Sequence, residues 1–200
     1  MRISALVAAV AIACGTTVGV LAPTVDRTAV AHAEAWNGLD GLVGLVLERL
    51  NTADAVIAAK WAAADGHDPV VDDPAREAQV YDSMAREGAG LGLPEPWVRQ
   101  VFFGQIEANK MVQRGLIARW RFDPSAAPAS PPDLAAVRPI IDRVNDEILH
   151  QLADHRADLT DARCPERLAA SVFPVFTDGR ADPLHEAALV RAVSALCPTP

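Results

Sequence analysis

The chain has 200 residues, half of them hydrophobic but only 5% aromatic, with a formal net charge of −8 and a pI near 5.0. That length fits one domain with a sizeable core, and an alanine-rich, aromatic-poor composition favours packed helices over sheets. The acidity argues against a general nucleic-acid or anionic-membrane binder, so an anionic ligand must find a local cationic pocket.

Residues 1–33 read as an export signal. Arg2 supplies a positive start, residues 3–20 are almost continuously apolar, and Ala31-His32-Ala33 offers the small-x-small pattern of signal peptidase before Glu34. A membrane anchor fits less well, because Gly15-Thr16-Thr17 interrupts the run and Pro23 and Asp26 follow it closely. Cys14 stands in A-I-A-C-G, where Ala11 is a poor match to the leucine usual in a lipoprotein site. The mature chain is expected to begin at Glu34, to be secreted or periplasmic, and to leave the membrane after cleavage.

Apolar periodicity then predicts an all-α, single-domain bundle of about six helices. The first covers residues 36–63. A loop with Gly66 and Pro69 leads to Asp73-Pro74, an N-cap followed by proline at the first helical position. The second helix ends in E-G-A-G-L-G-L-P, whose glycines Gly88, Gly90 and Gly92 are expected to terminate it and turn the chain. A third helix covers residues 95–121, with Val98, Val101, Phe102, Ile106, Met111 and Val112 on apolar positions. The proline-rich stretch 122–132 is the one clear break, dividing core helices (34–121) from C-terminal ones (133–200). A fourth helix runs to about His155 on Ile140, Ile141, Val144, Ile148, Leu149 and Leu152, with Pro139 either at its first position or as a slight kink. Two shorter helices near 164–175 and 183–196 complete the chain. Once Cys14 is removed, Cys164 and Cys197 form an even pair in an exported chain. A disulfide is the natural reading, contributing on the order of 3 kcal/mol. A metal site is the poorer alternative, since no C-x-x-C or nearby histidine cluster accompanies them.

No H-E-x-x-H, G-x-S-x-G or phosphate-cradling loop is present, and the five histidines do not cluster. What stands out is the stripe Leu42, Val46, Arg49, Ala53, Val56, Lys60 on the first helix. Arg49 and Lys60 are eleven residues apart, and at ~100° per residue they share the aliphatic face. Either both snorkel to water from the stripe edge, or both point into a cavity that holds an anion. In D-D-P-A-R-E, residues 72–77, Arg76 and Glu77 fall in the first turn of the second helix. Asn109 and Gln113 lie one turn apart on the third. Taken singly, these could be a cap, a solvated arginine and a surface hydrogen-bond pair.

Together and in this order, they resemble the all-helical chorismate mutases, specifically the secreted subclass. The family pattern is Arg, a Lys eleven residues on, then Asp-x-x-Arg-Glu, then a small polar residue with Gln or Glu four later. Arg49, Lys60, Asp73, Arg76, Glu77, Asn109 and Gln113 supply it, and Arg138 stands where the subclass has a further arginine beyond the proline-rich connection. Asn109 replaces the more usual Ser or Thr, Gln113 matches the cytoplasmic members, and Val80 stands where a Gln can occur. The resemblance implies the Claisen rearrangement of chorismate to prephenate, with no cofactor, no metal and a homodimeric assembly. It assigns Arg49, Arg76 and Arg138 to the substrate carboxylates, and Lys60 and Gln113 to the ether oxygen. Glu77 and the Asp73 region would bind the hydroxyl, and Asn109 would assist orientation. The competing expectations are a secreted binding module for a small dicarboxylate without turnover, and a disulfide-held helical interaction or inhibitor protein.

Overall fold

A computed structural model describes residues 37–130 and 132–199. The proposed leader, with Cys14, and Trp36 lie outside the described residues. Among those described there are seven α-helices and no strand: α1 (Asp40–Ala63), α2 (Pro74–Gly90), α3 (Glu95–Phe122), α4 (Leu134–Asp154), α5 (Arg156–Thr160), α6 (Cys164–Thr177) and α7 (Pro183–Val193). The all-α expectation holds. The helix beyond the expected six is α5, five residues long and too short to carry a periodicity.

Helix α1 is the axis of the bundle. Leu42, Val43, Val46, Leu47, Leu50, Ala53 and Ile57 are buried on several sides of it, because α3, α4, α6 and α7 all pack against it. Helix α3 is the second long strut, sandwiched between α2 and α7. Where α3 meets the C-terminal end of α7 the backbones nearly touch. A Cβ on Gly104 would lie 2.3 Å from the Ala195 Cβ, so even a methyl group there would force the helices apart.

Helix α2 contributes little apolar burial, only Met84, Ala85 and Gly88, and lies over α3 and α4. Its ends are well specified. Gly88 and Gly90 belong to the helix, and only Gly92 takes a left-handed φ of 74°. Leu93 N donates to Gly88 O at 2.9 Å and Gly92 N to Ala89 O at 3.0 Å, the paired bonds of a Schellman stop. The expectation that all three glycines terminate the helix is corrected, since one suffices. Two stripe assignments also change. Met111 and Ile140 are exposed (38% and 43%), on helix edges that their neighbours cover only in part. Pro139 lies inside α4, past its first turn, where its missing N–H leaves the helix one backbone bond short.

The C-terminus is fastened to α3. Trp97 Nε1 donates to Leu196 O at 2.8 Å, and Gln100 Nε2 donates to the carbonyls of Ala195 and Cys197 at 2.9 and 2.7 Å. The Cys164–Cys197 disulfide forms, joining the start of α6 to that tail across 33 residues. A loop of that length gives about 3–4 kcal/mol by chain entropy.

A second fastening joins α7 to α1. His185 is buried (6% exposed), with Nδ1 2.9 Å from Asp182 Oδ1 and Nε2 3.0 Å from Asp54 Oδ1. Each ring nitrogen faces a carboxylate, so the imidazolium fits best. Burial works to lower the His185 pKa, but the two carboxylates outweigh it and the net shift is upward. A group raised on folding stabilises fully below its unfolded value and loses that contribution as pH rises through the folded one. Asp54 is itself raised above the ordinary carboxylate value, chiefly by burial and against the opposing pull of His185, so by the same rule its contribution too is largest in acid. We expect His185→Gln to cost more stability in mildly acidic buffer than in mildly alkaline buffer. Urea unfolding at the two pH values checks this, and an equal cost at both would contradict the clasp.

Candidate active site

The site is built outward from Arg49. A guanidinium inside a helical bundle is costly unless hydrogen-bonded, and at 6% exposure Arg49 does not snorkel to water. Its Nε donates to Asn145 Oδ1 on α4 at 2.7 Å, and a terminal nitrogen donates to Gln105 O on α3 at 3.3 Å. Burial pulls its pKa down to about 10, which still leaves it cationic at neutral pH. Those two bonds use two of the five N–H donors a guanidinium carries.

Three turns along α1, the Lys60 Nζ donates to Val70 O at 3.0 Å and Val71 O at 3.4 Å. Burial holds its pKa below the ordinary lysine value, against the opposing pull of Asp73, Asp72 and Glu77. The first turn of α2 is locked by reciprocal caps. Asp73 Oδ1 accepts from Arg76 N at 3.0 Å, and Glu77 Oε1 accepts from Asp73 N at 3.1 Å. Pro74 fills the first helical position. The Arg76 side chain is exposed and donates to Gln79 Oε1 at 3.3 Å.

Helix α3 supplies the floor. Asn109 Nδ2 donates to Arg49 O at 3.4 Å. Gln113 is buried, and its Oε1 has no hydrogen-bond partner among the described residues. An orphaned buried amide oxygen costs about 1–3 kcal/mol, and Gln105 Nε2 is likewise unpaired among the described residues. Arg138 is exposed on the second turn of α4, directly before Pro139.

Arg49, Lys60, Asp73, Arg76, Glu77, Asn109, Gln113 and Arg138 all line one cavity of about 270 Å³, between apolar walls that include Val56, Val80 and Ile141. With Lys110, the lining holds five cations, two carboxylates and two neutral amides, a net positive hollow suited to a doubly negative guest. Among the described residues, no group of three or more His, Cys, Asp or Glu is placed to hold a metal. A larger cavity of about 540 Å³ adjoins it and shares Arg76 and Val80. Its wall carries Asp82, Glu87 and Asp142, so it is a poorer host for an anion.

Two residues escaped the sequence reading. Lys110 also lines the cavity, buried, its Nζ 2.8 Å from Glu77 Oε2, 2.9 Å from Glu107 Oε1 and 3.2 Å from Asp72 Oδ1. Burial opposes its charge, but the three carboxylates raise its pKa well above the ordinary lysine value. Asn145 is the buried acceptor for Arg49. Only Glu107, one turn before Lys110, could have hinted at either.

Residues 40–114 match the family described as chorismate mutase type II. The chain is 32% identical over 167 residues to the secreted chorismate mutase of Mycolicibacterium smegmatis, covering 84% of this chain and 90% of that one. It is 29% identical to the secreted chorismate mutase of Mycobacterium tuberculosis, covering 94% and 92% of the two. Among solved structures, the chorismate mutase from Burkholderia phymatum superposes with a TM-score of 0.74 at 36% identity, over 82% of this chain and 98% of that one. With such identity sustained over most of its length, the chain belongs to the type II chorismate mutase family.

Proposed function

We propose that the 270 Å³ cavity converts chorismate to prephenate, and that Arg49, Lys60, Arg76, Arg138 and two amides do so without covalent chemistry. The observation that carries the reading is convergence: side chains from α1, α2, α3 and α4 line one hollow with the charge a dianion needs. The reaction is a unimolecular pericyclic shift. An enzyme helps by holding the flexible substrate in its folded conformer and by stabilising the charge that develops as bonds move.

Arg49, Arg76 and Arg138 bind the two carboxylates, for which a planar bidentate fork is suited. As the ether C–O bond breaks, negative charge grows on that oxygen, and Lys60 and the Gln113 amide donate to it. Each is a stronger partner for the transition state than for the ground state, the condition for acceleration. Glu77 already accepts from Asp73 N and from Lys110, and its carboxylate retains lone pairs for the substrate hydroxyl. Asn109, tied to the Arg49 carbonyl, helps orient the guest.

The same reading places the enzyme outside the cytoplasm after cleavage behind Ala33, in keeping with the relatives named as secreted. It takes the assembly to be a homodimer, as the family resemblance implies.

Purified mature protein should deplete chorismate absorbance, and Lys60→Ala should lower kcat by about 10²–10³-fold. Ligand binding without turnover in the wild type would instead mean a dicarboxylate-binding module. Gln113 is a neutral donor, so wild-type activity should stay flat through neutral pH. It should fall only in the alkaline range, from below the ordinary lysine value of 10.5, because burial lowers Lys60. Gln113→Glu donates only when protonated, and its kcat should drop as pH rises through the carboxyl pKa. A steep neutral-range fall in the wild type would overturn the Gln113 role. N-terminal sequencing of the exported protein should begin at Glu34, and retention of residues 1–33 would refute the leader.

A further inference from the structure

Lys60 depends on a piece of backbone that cannot support itself. Its two carbonyl acceptors, Val70 O and Val71 O, belong to residues 68–73, a connection with no secondary structure of its own. Something else must fix that strap. Helix α3 carries Lys110, Arg114 and Arg121 on one face, spaced by one turn and then two. Arg114 donates to both oxygens of Asp72 at 2.7 and 2.9 Å, and the Lys110 ammonium lies 3.2 Å from the same carboxylate. Arg121 Nε donates to Asp68 Oδ1 at 2.9 Å. The strap therefore runs antiparallel to α3, pinned on one side by three cations and presenting carbonyls to Lys60 on the other.

Lys110 is the buried member of that row, and its geometry limits what it can do. An ammonium has three N–H donors. Hydrogen bonds to Glu77 and Glu107 take two of them and the third side of the head faces Asp72 at 3.2 Å as an ion pair, so the ammonium is engaged by acids rather than turned to a guest although the side chain borders the cavity. For Lys60 the same count gives a different result. Two donors go to the strap carbonyls, which fixes the tetrahedral head and leaves one N–H with a set direction, on a side chain otherwise free to swing.

We propose that residues 70–73, clamped to α3 by Lys110 and Arg114 through Asp72, are the device that aims the Lys60 ammonium, with Lys110 a positioning residue of the reaction. This rests on the functional reading given above for the cavity. The clamp works by preorganisation: it removes the need to reorient a flexible lysine as charge appears on the substrate, so its loss should affect kcat more than KM.

A double-mutant cycle tests it on the full mature chain. Lys110→Met should lower kcat about 10-fold with KM little changed. In a Lys60→Ala background the same substitution should change kcat less than about 2-fold, since the residue being aimed is gone. Asp72→Asn leaves Glu77 and Glu107 on Lys110 and should show the same non-additivity at about 3-fold, serving where Lys110→Met folds poorly. Losses that multiply in the double variant, or a raised KM with kcat retained, would overturn the proposal. A second readout is independent of turnover. The Lys60 ammonium should give an observable ¹⁵N–¹H signal in the wild type that is lost in Lys110→Met, and an unchanged signal refutes positioning. Absence of wild-type turnover would sink the functional reading alone, leaving the ammonium signal to decide this one.

Discussion

The desolvated guanidinium of Arg49 is the constraint around which the bundle is arranged. It lies on the central helix, so every neighbour of α1 must either exclude water from it or satisfy it. Helix α3 offers a backbone carbonyl and α4 offers the buried Asn145 amide. A hydrogen bond to a buried charged group is typically worth about 1.5–3 kcal/mol, and removing its neutral partner leaves the charge short of an acceptor. The same burial makes the charge useful. In a low-dielectric site a fixed cation acts on a carboxylate several-fold more strongly than it would in water.

The two ends of the molecule are held by different chemistry. At the disulfide end, α3 receives the C-terminal tail through Trp97 and Gln100, packs closely against α7 at Gly104, and is backed by the Cys164–Cys197 bond. At the cavity end, α2 buries few apolar residues and is positioned by caps, by a Schellman stop and by charge pairs reaching across from α3. Apolar packing gives area without direction. Hydrogen-bonded pairs give direction at little net gain in stability, which is what a wall of aimed donors needs.

What could be read from the sequence follows from which information is local. The eleven-residue spacing of Arg49 and Lys60 is a property of one helix, as is the spacing of Asn109 and Gln113, so faces could be assigned before any neighbour was known. Asp73-Pro74 announced the start of α2 because a cap and a fixed φ act within one turn. Periodicity does not say who covers a face. Met111 and Ile140 carry apolar side chains on edges that the neighbouring helices cover only in part. Lys110 looked like any solvated lysine because its partner Glu77 is 33 residues away, and the Arg49–Asn145 bond spans 96. Glycines in a row suggested a turn, yet only the one with a left-handed φ was needed to make it.

A cavity meant for a dianion should not tolerate carboxylates in its wall, and this one has two, Asp73 and Glu77. Their hydrogen bonds resolve the conflict. Asp73 is occupied as the cap of α2, and Glu77 is shared between the Asp73 N–H and the Lys110 ammonium. Each negative charge is thereby turned toward a local donor, leaving the field of Arg49, Lys60, Arg76 and Arg138 to dominate the interior. Lys110 lowers the repulsion that Glu77 would otherwise exert on a guest, its own hydrogen bonds going to Glu77 and Glu107. An acidic protein with a formal charge of −8 can hold a cationic hollow on these terms.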